Sequence, residues 1–241
     1  MRFADTDIRR AMVIYAHPDD AEWMAGGTVA AWSDAGVEMT YVLVTNGGSG
    51  SSDPGMTRSR LTEIRMVEQQ EACDVLGVKN LVKLGFEDGY LYPDLDVRKA
   101  VAREIRRYRP DAVITHDPTS RTAMGTYVNH PDHLATGEVV LRSINPDASS
   151  GLMFPELWHD EGLEPFLPTL LLLNRFTEGE AWVDISSTLD RKAEALLCHR
   201  SQMQDPAGTE DWMRQRFGEN GKRFGVAAAE SFVMMRVGEE S

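Results

Sequence analysis

Short apolar runs alternate along this chain with longer stretches whose apolar positions recur every three or four residues. Residues 12–16, MVIYA, are wholly apolar, the pattern of a strand buried on both faces. Met24, Thr28, Ala31 and Ala35 then recur at helical spacing up to a stop at Gly36. Residues 37–45, VEMTYVLVT, predict a second strand, and NGGSGSSDPG a polar loop that should be exposed and mobile. Leu61, Ile64, Val67, Val75 and Leu76 mark a helix ended by Gly77. NLVKLG predicts a third strand, and Val97, Val101, Ile105 and Tyr108 a helix terminated by Pro110. AVITH, residues 112–116, is the fourth strand, and a helix starts near Pro131. Residues 145–167 show no period, and a stretch that long without structure is usually functional or mobile. TLLLLN, AWVDI and the final ESFVMMRV predict later strands. Leu189, Ala193, Leu196, Arg200 and Met203 line one more helix, with a capping-box-like start at Ser187 and Asp190.

Strand–helix alternation from residue 12 to residue 144 predicts an α/β fold, a Rossmann-like three-layer sandwich with a mainly parallel central sheet. With 241 residues, no internal repeat and no linker, one domain over residues 1–241 is expected. In such sheets ligands bind outside the carboxyl ends of the strands, where the strand order reverses.

Composition narrows the partners. Hydrophobic residues make up 42% of the chain, too many for disorder. A net charge of −13 repels a nucleic-acid backbone, and no cluster of Lys and Arg reverses it. A small molecule or a metal cation suits that field better. Cys73 and Cys198 fall in helical segments and read as reduced thiols. The charged start, MRFADTDIRR, is unlike a signal peptide. LPTLLLLN is far shorter than the roughly 20 apolar residues that a membrane span needs. A cytoplasmic protein without nucleic-acid or membrane partners is expected, and assembly into a homo-oligomer is left open.

Two motifs stand at predicted strand ends. HPDD, residues 17–20, closes the first strand, and HPDH, residues 130–133, follows the fourth after a loop. Histidine and carboxylate within three positions of a tight turn suit a divalent cation of borderline softness. Catalytic zinc takes three protein donors and leaves one position for water. His17 and Asp20 converge if the turn folds back, which leaves Asp19 free to accept a proton. Pro18 stiffens the turn through its fixed φ. Pro131 suits the first position of a helix and puts His133 in its first turn. There the helix dipole disfavours imidazolium and keeps a lone pair for a metal. Asp132 is placed to orient His130 through a hydrogen bond. One His-Pro-Asp turn is more often a capped helix start than a site. Two, each beyond a predicted parallel strand, turn the odds toward a site.

AHPDD with the later HPDH resembles the PIG-L/LmbE-like family of metal-dependent de-N-acetylases. RMVEQQEACDVLG (65–77), FEDG (86–89) and VDISSTLDRKAEALLCHRSQ (183–202) extend the resemblance to residues 11–236. It implies one zinc per chain, held by His17, Asp20 and His133, with Fe2+ the alternative because affinity order does not settle selectivity in the cell. It further implies Asp19 as general base for water, and His130, held by Asp132, as acid or electrostatic partner of the tetrahedral intermediate. Arg65 and Asp88 match positions that hold substrate hydroxyls in the sugar-processing members. Members handling inositol-linked sugars often carry Tyr-Gly before the second motif. Here Asn129 takes the Gly position, and Tyr127 lies one residue further back than their Tyr. The implied reaction is hydrolysis of the N-acetyl amide of a small N-acetylglucosamine-type sugar or glycoconjugate. An amidase acting on a thiol conjugate keeps the site and changes the bond. A Rossmann-like binding module without catalysis is the rival class, weakened by the lack of GxGxxG after the first strand.

Other residues weigh less. His116 and Asp117 fit equally as partners of the site or as plain strand terminators. Gly26 and Gly27, inside a predicted helix, cost about 1 kcal/mol each relative to Ala and point to close helix–sheet packing. His199 and Gln202 read as structural, and Trp158 and His159 as rim positions without function.

Overall fold

A computed structural model describes residues 8–123, 125–175 and 179–238; the first seven residues of the charged start lie outside them. Strands and helices alternate as β1 (Arg10–Tyr15), α1 (Asp20–Asp34), β2 (Glu38–Thr45), α2 (Arg58–Leu76), β3 (Asn80–Phe86), α3 (Leu95–Tyr108) and β4 (Ala112–His116). A hairpin of β5 (Thr122–Ala123) and β6 (Tyr127–Val128) leads into α4 (Pro131–Arg142). The chain continues through α5 (Pro155–His159), β7 (Leu170–Asn174), β8 (Ala181–Asp184), α6 (Leu189–Leu197), α7 (Pro206–Phe224) and β9 (Ala229–Arg236).

Seven strands form one sheet in the order β3-β2-β1-β4-β7-β9-β8. Pairing is parallel from β3 to β7, and β9 runs antiparallel between β7 and β8. This is the expected mainly parallel sheet with helices on both sides. β1 explains its own unbroken apolar run. Ala11, Val13 and Tyr15 face the core under α1, α2, α6 and α7, whereas Met12 and Ile14 face the core under α3 and α4. A strand covered on both faces has no position left for a polar side chain.

The order reverses between β1 and β4. From β1 the chain steps outward to β2 and β3, and β4 then lies on the opposite side of β1. Loops leaving the two carboxyl ends diverge there and open a crevice. HPDD leaves β1 at that point, and His116 closes β4.

Helix α1 is held unusually close to its neighbours. Lys192 of α6 and Glu230 of β9 form a fully buried ion pair at 2.7 Å. The amides of Gly27 and Thr28 donate to Glu230, and Lys192 donates to the carbonyls of Glu22 and Trp23. A Cβ on Gly27 would lie 2.8 Å from three atoms of Ile185, so only glycine lets the helix come this near. Close packing thus accounts for the glycine pair.

Several sequence expectations change. The 145–167 segment is tied to α3 by hydrogen bonds and does not line the crevice. The buried Arg106 guanidinium donates to the carbonyls of Asp147, Ala148, Ser150 and Met153, and Arg98 grips the Asp147 carboxylate at two points. Those bonds supply the order that apolar periodicity would otherwise announce. No capping box forms before α6, because the N-cap is Thr188, whose hydroxyl donates to the Gly27 carbonyl. The helix also stops at Leu197, and residues 200–202 form a separate 3-10 turn. Finally, the 19-residue α7 has no counterpart in the sequence reading. Both cysteines are free thiols. Among the described residues no helix is long and apolar enough to cross a membrane.

Candidate active site

HPDD folds back because Asp19 takes the left-handed conformation, φ 93°, at the N-cap of α1. A non-glycine residue in that region is strained and persists only where its surroundings impose it. The Gln69 side chain accepts from the Asp19 amide, Glu22 accepts from Gln69, and His199 meets Glu22 at 3.1 Å. His199 is therefore structural, a buried strut two residues behind the turn. Gly47 crosses over the turn with φ +64°, and a Cβ there would lie 2.8 Å from Pro18. The start of the NGGSGSS loop is accordingly buried, although its later residues are exposed.

Pro131 occupies the first turn of α4 with His130 as N-cap, which places His133 as expected. His17 Nδ1 and His133 Nε2 then lie 3.2 Å apart, His133 Nε2 is 3.1 Å from Asp20 Oδ1, and His17 Nδ1 is 3.3 Å from Asp20 Oδ2. A tetrahedral zinc with bonds of about 2.0–2.1 Å would separate its donors by about 3.3–3.4 Å. The three side chains match that spacing without rearrangement.

Hydrogen-bond partners assign the ring protons. His17 Nε2 faces Asp88 Oδ1 at 3.2 Å and Asp132 Oδ2 at 3.3 Å, two groups that only accept. A proton on Nε2 leaves the Nδ1 lone pair for the cluster. His133 Nδ1 lies 2.8 Å from Asn129 Oδ1, so its proton is there and the Nε2 lone pair faces the same point. Two lone pairs and a carboxylate converging at such distances repel one another unless a cation or proton lies among them. The donor set fits a divalent metal.

The same logic weighs against a second metal among His17, Asp88, His130 and Asp132, whose donor atoms also cluster. The Asp132 amide donates to His130 Nδ1 at 3.2 Å, so a neutral His130 carries its proton on Nε2. His130 therefore offers a donor, not a lone pair. Sequence reasoning pairs the Asp132 carboxylate with His130. Instead it turns to His17 and accepts from the amides of Gly89 and Leu91, because those amides fix it over the β3–α3 loop.

Electrostatics follow from burial opposed by neighbours. Burial would lower the pKa of His17, but hydrogen bonds with Asp132, Asp20 and Asp88 outweigh it and hold the ring well above its ordinary value. Burial would raise Asp20, yet His133 and His116 hold it well below the usual carboxylate range. Asp88 is lowered to about 2, its burial outweighed by His17 and the Ser49 amide. Asp19 goes the other way and reaches about 6, pushed up by burial and only partly restrained by Arg65 at 3.3 Å. A carboxylate that ionises near neutrality can exchange protons in the working range. His130 is lowered by burial and by His17, which favours its neutral form.

Some residues were legible only in part. His116 settles as a partner of the site: its Nε2 lies 3.2 Å from Asp20 Oδ2 and its ring stacks on His133 with centroids 4.1 Å apart. Arg65 is buried and donates to the carbonyls of Gly47 and Pro18 as well as to Asp19. Asp88 reaches His17, and Tyr127 lines the crevice beside His130 despite its shifted register. The crevice encloses about 990 Å³ and extends well past these residues to an outer wall on α7. Trp212, Arg216, Glu219, Asn220 and Arg223 project from that helix at helical spacing, and Trp23 meets Trp212 edge to face at 5.7 Å. Asp205-Pro206 at its start and Gly225 at its end were the available signals.

Comparison with known proteins agrees with this geometry. Residues 12–144 match the family described as PIG-L: GlcNAc-PI de-N-acetylase. The chain belongs to the PIG-L family. Both histidine motifs lie inside the matched range. A diacetylchitobiose deacetylase of Thermococcus kodakarensis is 29% identical to this PIG-L member over 81% of the chain and 71% of that protein. A probable N-acetyl-alpha-D-glucosaminyl L-malate deacetylase 2 of Bacillus cereus is 31% identical over 80% of the chain and 84% of that protein. The solved N,N'-diacetylchitobiose deacetylase of Pyrococcus horikoshii superposes with a TM-score of 0.87 at 30% identity, covering 95% of this chain and 85% of that one. PIG-L de-N-acetylases are amide hydrolases, and in this chain His17, Asp19, Asp20 and His133 line one crevice.

Proposed function

We propose that this chain removes the acetyl group from an N-acetylglucosamine-type sugar or glycoconjugate, using one zinc held by His17, Asp20 and His133. The convergence of two lone pairs and a carboxylate beside an ionisable Asp19 carries the reading. A bound zinc supplies Lewis acidity, which polarises the acyl oxygen and lowers the pKa of water toward neutrality. Asp19 takes a proton from the water that attacks the acyl carbon. His130 presents its Nε2–H to the oxygen on which negative charge develops. The C–N bond then breaks, the leaving amine takes the proton that Asp19 received from water, and acetate forms. Asp88 and Asp132 keep the His17 proton on Nε2, and His116 holds Asp20 from behind. Tyr127 and Asp88 border the sugar, and the α7 wall receives the rest of the glycoconjugate.

The test is metal content measured with acetate release from a panel of N-acetylated sugars and acylated thiol conjugates. Wild-type protein should hold about one zinc per chain, and His17→Ala and His133→Ala should lose it. Asp19→Asn should keep the metal and lose at least about 100-fold in turnover, the scale of a general base. Full activity in Asp19→Asn would remove the base from the mechanism. Turnover of thiol conjugates alone would move the substrate class.

A further inference from the structure

The residue before the second motif has a task that the reaction outlined above does not include. Asn129 is 7% exposed, and its side-chain amide is fixed at both ends by main chain. Its Nδ2 donates to the Ser120 carbonyl at 2.7 Å, and its Oδ1 accepts from the His130 amide at 2.9 Å. Exchanging the two ends would set oxygen against oxygen at Ser120 and N–H against N–H at His130. The amide therefore has one orientation, and it presents Oδ1 to His133 Nδ1 at 2.8 Å.

We propose that Asn129 is a positioning residue that fixes the proton of His133 on Nδ1 and so keeps the Nε2 lone pair aimed between Asp20 and His17. The proposal rests on the zinc reading for its purpose but not for its observable. Asn129 acts against the local field. Asp20 Oδ1, 3.1 Å from His133 Nε2, would by itself draw the ring proton to Nε2, since a hydrogen bond to a charged acceptor is the stronger kind. With the proton on Nε2 the ring would be satisfied by Asp20 and would have no lone pair for a metal. An acceptor locked at Nδ1 makes that arrangement costly, because the Nδ1 lone pair would then face the Asn129 oxygen. His116, stacked at 4.1 Å on the other side of the ring, blocks rotation away from this pairing. Glycine at this position could supply no such acceptor.

The direct test is nitrogen NMR of the histidine rings in metal-free protein, at a pH where they are neutral, with His133 assigned by its Gln variant. Wild type should show His133 protonated on Nδ1. Asn129→Ala should move the proton to Nε2, while His17, held by Asp88 and Asp132, should stay protonated on Nε2. Zinc affinity, from chelator competition, should fall on the order of 10- to 100-fold in Asn129→Ala, as for other residues that orient metal-bound histidines. If Asn129→Ala does not fold, wild type decides: His133 must carry its proton on Nδ1 although Asp20 Oδ1 lies 3.1 Å from Nε2. An unchanged His133 tautomer in a folded Asn129→Ala, or an Nε2 proton on His133 in wild type, overturns the proposal and leaves the zinc reading intact. Wild type that binds no zinc but shows the tautomer change would instead sink the zinc reading and leave the role of Asn129 standing.

Discussion

Replacing Arg65 by Gln separates two jobs that this buried guanidinium could do. Its Nη2 lies 3.3 Å from Asp19 Oδ2, and it is the second-largest influence on Asp19 after burial, acting to keep the carboxylate ionised. Two unit charges at that distance in an effective dielectric of about 20 interact by about 5 kcal/mol, an upper bound. Sharing of the charge with the Gly47 and Pro18 carbonyls reduces it, and opposite charges this near usually lower a carboxyl by about 1–3 pKa units. Loss of Arg65 should therefore lift Asp19 from about 6 to about 7–9. A rise of about 1–3 units cuts the ionised fraction of Asp19 by about 10- to 1,000-fold at pH values below both pKa values. The expected result is an acid limb of kcat/KM displaced upward by about 1–3 pH units, with the loss recovered in alkali.

The sign is fixed by the role. A base must be ionised to work, so the acid limb of the profile moves up when its pKa rises. A bound cation would lower the limb in both proteins and preserve the difference. Arg65→Lys keeps the charge and should keep the limb close to its wild-type position. The assay is the pH profile of acetate release in all three proteins. An unmoved limb in Arg65→Gln, with KM raised equally at every pH, would show that Arg65 serves the substrate and that Asp19 is tuned by something else.

Two other expectations follow from packing. Gly27→Ala should destabilise the protein by about 1–3 kcal/mol in denaturant unfolding, although Ala is the better helix former, because its Cβ meets Ile185 at 2.8 Å. Trp212→Ala should raise KM on a glycoconjugate several-fold with little change in kcat, since the α7 wall borders the crevice far from the donors. An equal loss of kcat would place Trp212 nearer the chemistry than its position on α7 implies.

The sequence alone determined the parallel half of the sheet, the helices that cover it and the strand ends from which the site grows. That was possible because doubly covered strands must be apolar throughout, and helices that cover them must repeat every three to four residues. His17, Asp20 and His133 were legible for a local reason: two short turns carry them, and proline and the helix start fix each turn. Asp132 and His116 were not, because which histidine a carboxylate meets depends on how the loops after β1, β3 and β4 cross, and those crossings are set hundreds of atoms away. The α7 wall was hidden for a different reason. Of its 19 residues only Met213, Phe217 and Gly221 are buried, so it carries almost no apolar stripe. The side of it that meets the crevice is polar and aromatic, and such a face looks like solvent-exposed helix until the fold brings it to the same crevice as the histidines. Tertiary structure also brought Asp88, from the loop after β3, and Asp132, from the first turn of α4, to the same imidazole nitrogen of His17, a convergence no local pattern announces.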